Sequence, residues 1–393
     1  MLPTAITSLI ALLGISPNSI SDPRIIFALM FILTMIYTQR RKNEYSQFLV
    51  SATILSALAC FISKDIFYAS IFVAFFHEIR RGLIWDLPLY TCAGVLFFTI
   101  YSLINNLLIP VSNIIFIALA GGLSAALMES IKTETDKRVL VLIALATTFA
   151  IFRIYIPNAS IEALTIAFAI SFLLSLMALK VNIADESGLM SATLVGTITI
   201  LFTSLKFFAI LLFFYLVGSA ITKYKYSLKE LLGIAEPSGG ARGFSNVFGN
   251  SLAPLFFALN YGTTGEEIFA FAFVASVATA LGDTMASEIG KTANNVYLIT
   301  NFKKVKPGTN GGISVIGEIS AFLGCILVAF LSLVLGILNL EYFAIVVFSA
   351  FLAIHLDSFL GATLEIRGYL NNSAVNFLAT LFGGVICVLF AWY

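Results

Sequence analysis

Two stretches of the chain hold residue types that could handle a phosphate and its metal. In TALGDTMASEIGK, Asp283 follows an apolar run at 267–282, with Ser287 four residues beyond it and Thr284 four residues before Glu288. On a helix that spacing puts each carboxylate and a hydroxyl on one face. An ionised carboxylate at the middle of a bilayer costs about 2.5–3.5 kcal/mol on insertion scales, so an acid at that depth faces the protein interior, whereas at the interface Asp283 would only cap a helix. In FKKVKPGTNGGIS, Lys303, Lys304 and Lys306 precede or flank Pro307 and the run Gly308, Thr309, Asn310, Gly311, Gly312. Closely spaced glycines free backbone N–H groups to form an anion cradle, and a helix beginning near Gly312 would aim its positive end at the same spot. Lysine meets phosphate as a point charge. Mg²⁺ is held by one or two carboxylates together with phosphate oxygens, so Asp283 ahead of the glycine run predicts a di- or triphosphate site. The run is no Walker A loop, because no Gly-Lys-Ser/Thr follows the glycines.

Two further sets add polar groups. IHLDSFLGATLE places His355, Asp357, Ser358 and Glu365 at the end of an apolar segment, followed by Arg367, Asn371, Asn372 and Asn376. Asp357 can serve as a second metal ligand or accept a proton from a substrate; a polar contact between helices is its plainer role. GGARGFSNVFGNS supplies Arg242, Asn246 and Asn250, the two asparagines one helical turn apart. Lys291 and Arg242 join the three lysines as phosphate-binding candidates, and Glu288 joins Asp283 and Asp357 as a metal candidate. Ser287, Asn250, Glu318, Glu365, Asn372 and Asn376 complete the polar set. His77 and Glu78, beside Arg80 and Arg81, read as interfacial anchors.

The elements that must position these residues are membrane helices. The chain is 60% hydrophobic and 11% charged, with a mean hydropathy of +1.00, against roughly 25% charge in a soluble domain. Apolar runs near the ~20 residues needed to cross a bilayer recur from end to end without alternation. This predicts an all-α, polytopic transmembrane helical bundle of about 12–15 membrane segments rather than a barrel. Several runs are short, which predicts half-helices or interfacial pieces. Lys and Arg gather at 40–42, 80–81, 132–138, 223–242 and 291–306. The positive-inside rule places these connectors in the cytoplasm, the plasma membrane being the host in a prokaryote. That rule alone would account for the lysines, and close helix packing for the glycines, but neither explains the acidic helix just before them. The four cysteines sit singly in apolar runs without metal-ligand spacing and read as core residues. The apolar N-terminus lacks a basic leader and reads as a retained first segment.

KVNIADESG, at 180–188, reads as a seam between an N-terminal transmembrane region, 1–179, and a region at 180–393 that holds every site candidate. The longest polar stretch, 222–246, contains an amphipathic turn at 227–234 and a Pro-Ser-Gly-Gly corner. It is too long for a tight turn, so it lies on the membrane surface or covers a site. Residues 123–152 and 356–390 share small residues, an acid (Glu129, Glu365), a polar patch (Asp136, Asn371) and a long apolar helix. That is the pattern of a degenerate internal repeat, at an identity that chance explains as well.

GDTMASEIGK, ITNFKKVKPGTNGGIS, LDSFLGATLE and LNNSAVNFLAT resemble, in the same order, motifs of the integral-membrane family that includes the phytyl-phosphate kinase of plants and cyanobacteria and the animal transmembrane protein 19. SGLMSATLVGTITIL is similar to that family's opening, and the resemblance spans 180–393. The pattern is also similar to the CTP-using enzymes phosphatidate cytidylyltransferase and dolichol kinase, where a Gly-Asp helix end holds metal and a lysine and glycine loop handles nucleotide phosphates. The resemblance implies Mg²⁺ at Asp283 and a cradle of Lys306, Gly308, Thr309, Asn310, Gly311 and Gly312, with Lys306 the lysine expected to matter most. It implies a kinase that takes an isoprenoid monophosphate to the diphosphate with a nucleoside triphosphate, CTP being the expected donor; Asp283 and Lys306, joined by Asp357 from the reading of the residues above, are the expected catalytic residues. Met285 stands where the family often has an aromatic, and the first 180 residues lie outside the resemblance. A prenol kinase or a CDP-lipid cytidylyltransferase would share the nucleotide site. A small-anion or lipid transporter would use Asp283, Glu318 and Asp357 at broken helices. The expected partners are a nucleotide, an isoprenoid phosphate and membrane lipids, not nucleic acid; self-association is left open.

Overall fold

Continuous apolar sequence with few breakers folds as helix wherever the backbone must satisfy its own hydrogen bonds. The computed structural model describes residues 1–16, 22–40, 45–236 and 238–392, and these form sixteen α-helices and one small sheet. Arg41 and Lys42 of the first basic connector and Pro237 of the polar corner lie outside the described residues. Among the described residues, eight helices are long and apolar enough to cross a membrane, and four more are apolar but shorter. The protein is a polytopic helical membrane bundle. The chain divides into two units, Met1–Ile166 and Ala167–Tyr393.

The first unit holds α1 (Leu2–Leu13), α2 (Pro23–Arg40), α3 (Ser46–Leu58), α4 (Lys64–Ala74), α5 (Leu83–Ile104), α6 (Val111–Ser130) and α7 (Lys137–Ile154). Its core is aromatic, with Tyr68, Phe97 and Phe149 buried and Phe98 edge-on to Phe149 at 5.1 Å between centroids. Near the end of α6, the buried Glu129 Oε1 accepts a hydrogen bond from the Tyr90 hydroxyl at 2.7 Å and lies 2.6 Å from His77 Nδ1, while Oε2 pairs with Arg80 at 3.0 Å. Glu78 pairs with Arg138 at 3.0 Å. His77 and Glu78 have internal partners: they lie on a 3-10 turn, Phe75–Ile79, within reach of α6 and α7.

The second unit holds most of α8 (Ile161–Lys180), then α9 (Glu186–Phe202), α10 (Leu205–Lys223), α11 (Tyr226–Leu231), α12 (Phe244–Thr264), α13 (Glu267–Gly290), α14 (Val315–Val334), α15 (Leu340–Leu360), and α16 (Asn372–Ala391). A π-helical turn, Gly361–Glu365, extends α15. Strands β1 (Val296–Leu298), β2 (Lys304–Val305) and β3 (Gly312–Ile313) pair antiparallel in the order β2-β1-β3. The centre is α13, which packs on α10, α12, α14, α15 and α16. Its approach to α14 depends on missing side chains: a Cβ on Gly324 would lie 2.8 Å from the Gly282 Cα, and one on Gly282 would lie 2.9 Å from the Ala321 oxygen. Small residues allow such backbone contact in membranes, and here it fixes the level of Asp283, the next residue.

Two expected boundaries shift. The helix carrying Asp283 runs on to Gly290, so Asp283 lies inside α13 and does not cap it. The helix expected near Gly312 begins at Val315, because Gly312 and Ile313 pair with β1; Ser314 caps α14 by accepting from the Gly317 N–H at 3.2 Å. The stretches with the shared pattern take one local form. In each, a helix and a connector lead to a helix capped by a side chain: Asp136 accepts from the Arg138 N–H at 3.0 Å, and Asn371 from the Ala374 N–H at 2.9 Å. Cys325 and Cys387 are buried and Cys60 half-buried, whereas Cys92 is exposed with Leu96 on the outer face of α5, opposite Ala93 and Phe97. All four are free thiols.

Candidate functional site

A cavity of about 640 Å³ in the second unit gathers most of the residues singled out by sequence. Asp283, Ser287, Glu288 and Lys291 reach it from α13 and its end, Gly308, Thr309, Asn310, Gly311 and Gly312 from the glycine run, and Glu318 from α14. Asp357 and Glu365 come from α15 and its π-turn, Asn372 and Asn376 from α16, Asn250 from α12, and Arg242 from the polar stretch before α12. The stretch at 222–246 covers this site, contributing Thr222, Ile234 and Glu236.

The three lysines of the glycine loop are the exception. Lys303, Lys304 and Lys306 are exposed and absent from the cavity wall. Pairing of β2 with β1 turns this segment aside, and the Lys304 ammonium donates to Asn295 Oδ1 at 2.8 Å. Of Lys306, the lysine expected to matter most, only the carbonyl is engaged among the described residues, accepting from the Thr309 N–H at 3.2 Å and hydroxyl at 2.7 Å. The glycines themselves come close. Gly311 has φ +72°, and a Cβ there would lie 2.4 Å from the Ser358 carbonyl oxygen, so the loop rests on α15 directly beside Asp357. The Asn310 and Gly311 N–H groups make no hydrogen bond among the described residues.

The acids fall into two groups. Both Glu288 oxygens are taken by ammonium groups: Oε2 by Lys229, whose side chain is fully buried, and Oε1 by Lys291 at 2.6 Å. Lys229 also donates to the Thr222 carbonyl at 2.6 Å, and Lys291 to Glu236 at 2.9 Å. Burial pulls the Lys291 pKa down, and the Glu236 and Glu288 carboxylates more than reverse it, leaving it above the ordinary lysine value. Glu288 is thus a clasp between α13 and the covering stretch, with no oxygen free for the metal it was expected to help bind. Glu318 pairs with His355 at 3.2 Å. Asp283, Asp357 and Glu365, by contrast, have no side-chain hydrogen bond or ion pair among the described residues, and Asp357 Oδ2 is buried without a partner.

One cation on the wall also makes no ion pair among the described residues. Arg242 is 7% exposed, packs over the rings of Phe214 and Tyr215 at 5.1 and 5.7 Å, and has no carboxylate partner among the described residues. Burial lowers its pKa from the usual arginine value. Its position is set by the backbone: its N–H donates to the Ile183 carbonyl at 2.8 Å and its carbonyl accepts from the Asp185 N–H at 3.2 Å. Gly188 permits this, since a Cβ there would lie 2.1 Å from the Arg242 carbonyl oxygen. Lys229 and Glu236 were not among the sequence candidates. The signal available was Lys229 within the amphipathic turn, a charge with no solvent face once that turn folds over α13.

Among the described residues no three His, Cys, Asp or Glu side chains converge on a metal site. Two unpartnered carboxylates on the packed helices α13 and α15 still fit Mg²⁺, which takes its remaining oxygens from phosphate and water.

Fold and site together define a polytopic membrane protein with a large, acid-rich cavity among its helices. The model of the integral membrane protein family DUF92 matches residues 169–384, and the chain belongs to that family. Its relatives include an uncharacterized membrane protein of Synechocystis, 34% identical over 224 residues, covering 56% of this chain and 87% of that protein. Another, from Methanocaldococcus jannaschii, is 32% identical over 230 residues, covering 58% of this chain and 93% of the relative. The chloroplastic protein VTE6 of Arabidopsis thaliana is 32% identical over 214 residues, 52% of this chain and 64% of VTE6. No solved structure matches. The family membership read from the four motifs stands.

Proposed function

We propose that the protein is a membrane phosphotransferase that converts an isoprenoid monophosphate to the diphosphate, with CTP as donor. The observation that carries this reading is one cavity holding three unpartnered acids, a buried arginine without an ion pair among the described residues, and free N–H groups of a glycine loop. Acids outnumber bases on its wall, so a bare polyphosphate would be repelled while its complex with a divalent cation would be attracted. Asp283 and Asp357 would hold Mg²⁺, which when bound neutralises charge on the phosphate oxygens. The Asn310 and Gly311 N–H groups hold donor phosphate oxygens beside α15.

An oxygen of the acceptor phosphate attacks the γ-phosphorus, the bond from that phosphorus to the β,γ-bridging oxygen breaks, and the nucleoside diphosphate leaves with that oxygen. The acceptor is already an anion, so no strong base is needed, and positioning with charge neutralisation does the chemistry. The basic connectors face the cytoplasm, in a prokaryote across the plasma membrane, where the nucleotide is found. The test uses purified protein, Mg²⁺ and CTP labelled at either the α- or the γ-phosphate. Transfer of γ-label to prenyl phosphate is the expected result. Transfer of α-label would make the protein a cytidylyltransferase. Failure of prenyl phosphate, prenol and phosphatidate with every nucleotide would refute the reading, and nucleotide-independent solute flux would favour a transporter.

A further inference from the structure

Arg242 borders a second cavity. Between α8, α9 and α10 lies a groove of about 80 Å³ walled by apolar side chains such as Leu174, Val195, Phe208 and Leu211, in which Arg242 is the only charged residue on the described wall. Along one face of α9 the groove is floored by Gly188, Ala192 and Gly196, spaced four residues apart. Beside it on α8, Leu173 and Met177 are exposed and apolar. Arg242 thus lines both an acid-rich cavity and a greasy groove, and it is more than nine-tenths buried with no ion pair among the described residues. The carboxylates whose fields reach it, Glu236 and Glu288, are already paired with Lys291 and Lys229; a buried cation without a partner of its own is costly, so an anionic ligand group is its natural complement. A ligand that meets both surfaces must carry an anion at one end and hydrocarbon at the other.

We propose that Arg242 and this groove form the seat of a single-chain, phosphate-headed lipid. The phosphate lies on Arg242 at the edge of the polar cavity, and the first carbons of the tail lie along the small-residue face of α9. The remainder of the tail continues into the bilayer past Leu173 and Met177. The groove is too small for two chains. A nucleotide does not fit the same role, because its sugar and base would leave polar groups unpaired against an apolar wall. The inference rests on the phosphotransferase reading only in naming this lipid as the acceptor.

The experiment uses the full chain in nanodiscs without nucleotide, and a C20 prenyl monophosphate with a diazirine near its head end. After irradiation, label is expected on peptides of α9 and α10, around Ala192, Val195 and Leu211. Unlabelled prenyl phosphate should compete, while prenol, phosphatidate and inorganic phosphate should not compete at equal concentration. Arg242→Gln should cut labelling at least about tenfold, the size of one charge-assisted hydrogen bond, with partial recovery in Arg242→Lys. Ala192→Phe, which fills the groove without altering the head's contact, should do the same and carries the test should Arg242→Gln fail to assemble. Label elsewhere, undiminished label in Ala192→Phe, or equal competition by prenol or phosphatidate overturns the seat. Label at the seat without γ-phosphate transfer would sink the kinase reading alone, and transfer with label elsewhere would sink the seat alone.

Discussion

Replacing Glu288 by Gln should destabilise the protein far more than replacing the lysine buried against it. Glu288 clasps two ammonium groups, but the two are not equally dependent on it. Lys291 keeps Glu236 at 2.9 Å, whereas Lys229, fully buried, is left with only the Thr222 carbonyl at 2.6 Å. Breaking a buried pair so that one charge is stranded costs about 3–5 kcal/mol. In Lys229→Met the situation is reversed: Glu288 retains Lys291 at 2.6 Å, the buried stem is replaced by one of similar size, and the ammonium no longer has to be desolvated. The loss should not exceed about 2 kcal/mol, the scale of a single charge-assisted hydrogen bond. The gap of at least about 1 kcal/mol is readable by reversible unfolding in mixed micelles. The double variant should be more stable than Glu288→Gln alone, because it removes the stranded charge, a coupling that a double-mutant cycle isolates. Equal losses in the two single variants, or a double variant as unstable as their sum, would refute the view of Glu288 as a shared clasp.

Asp283→Asn and Asp357→Asn should each lower γ-phosphate transfer by about 10²–10³-fold, the cost of losing one preorganised electrostatic group, while leaving the unfolding midpoint unchanged or raised, since neither carboxylate holds another group in place. Gly311→Ala should cost about 1–3 kcal/mol of backbone strain and lose most activity, because its Cβ would lie 2.4 Å from the Ser358 oxygen, backbone that cannot yield. Gly308→Ala, whose Cβ would meet the movable Ile234 side chain at 2.7 Å, should retain more activity in the same assay. Lys306→Ala should change transfer less than threefold, within about 0.6 kcal/mol, whereas Lys291→Ala, which frees Glu236 and one oxygen of Glu288 and loosens the covering stretch, should lower both activity and stability.

The bundle was legible because apolar run length and the absence of alternation leave little else for such a chain to form. Legibility ended where a boundary depended on pairing with a distant segment. Gly312 reads as a helix start from its neighbours, yet it is a strand residue because Leu298 stands opposite it. The placement of the lysines failed for the same reason: their charge and spacing are local, but the two-residue strand that turns them away exists only through Val296 and Tyr297. Asp283, Asp357 and the glycines could be read together because helix periodicity and the need for close backbone approach are local rules. Lys229 could not, since its partner Glu288 is 59 residues away and nothing in the turn around it specifies that contact.

Two acids at matching places in their local segments differ in how far the fold itself satisfies them. Glu129 and Glu365 each lie near a helix end, ahead of a connector and a side-chain-capped helix. Glu129 is saturated by Tyr90, His77 and Arg80, so any ligand seeking it would have to displace three partners already at hydrogen-bonding distance. Glu365, like Asp357 eight residues before it, has no partner among the described residues and opens on the cavity. A carboxylate satisfied by its own fold gains little from a cation, whereas one left unsatisfied gains what the fold withheld. Swapping the two conditions therefore tests the distinction. Tyr90→Phe with His77→Leu should leave Glu129 Oε1 unsatisfied, with Arg80 still on Oε2, and lower stability by a few kcal/mol without conferring any dependence on Mg²⁺. Asp357→Asn should leave stability intact and raise the Mg²⁺ concentration needed for half-maximal protection against unfolding. If instead the first variant gains Mg²⁺-dependent stability and Asp357→Asn leaves the Mg²⁺ response unchanged, the unpartnered acids of the cavity are not its cation ligands.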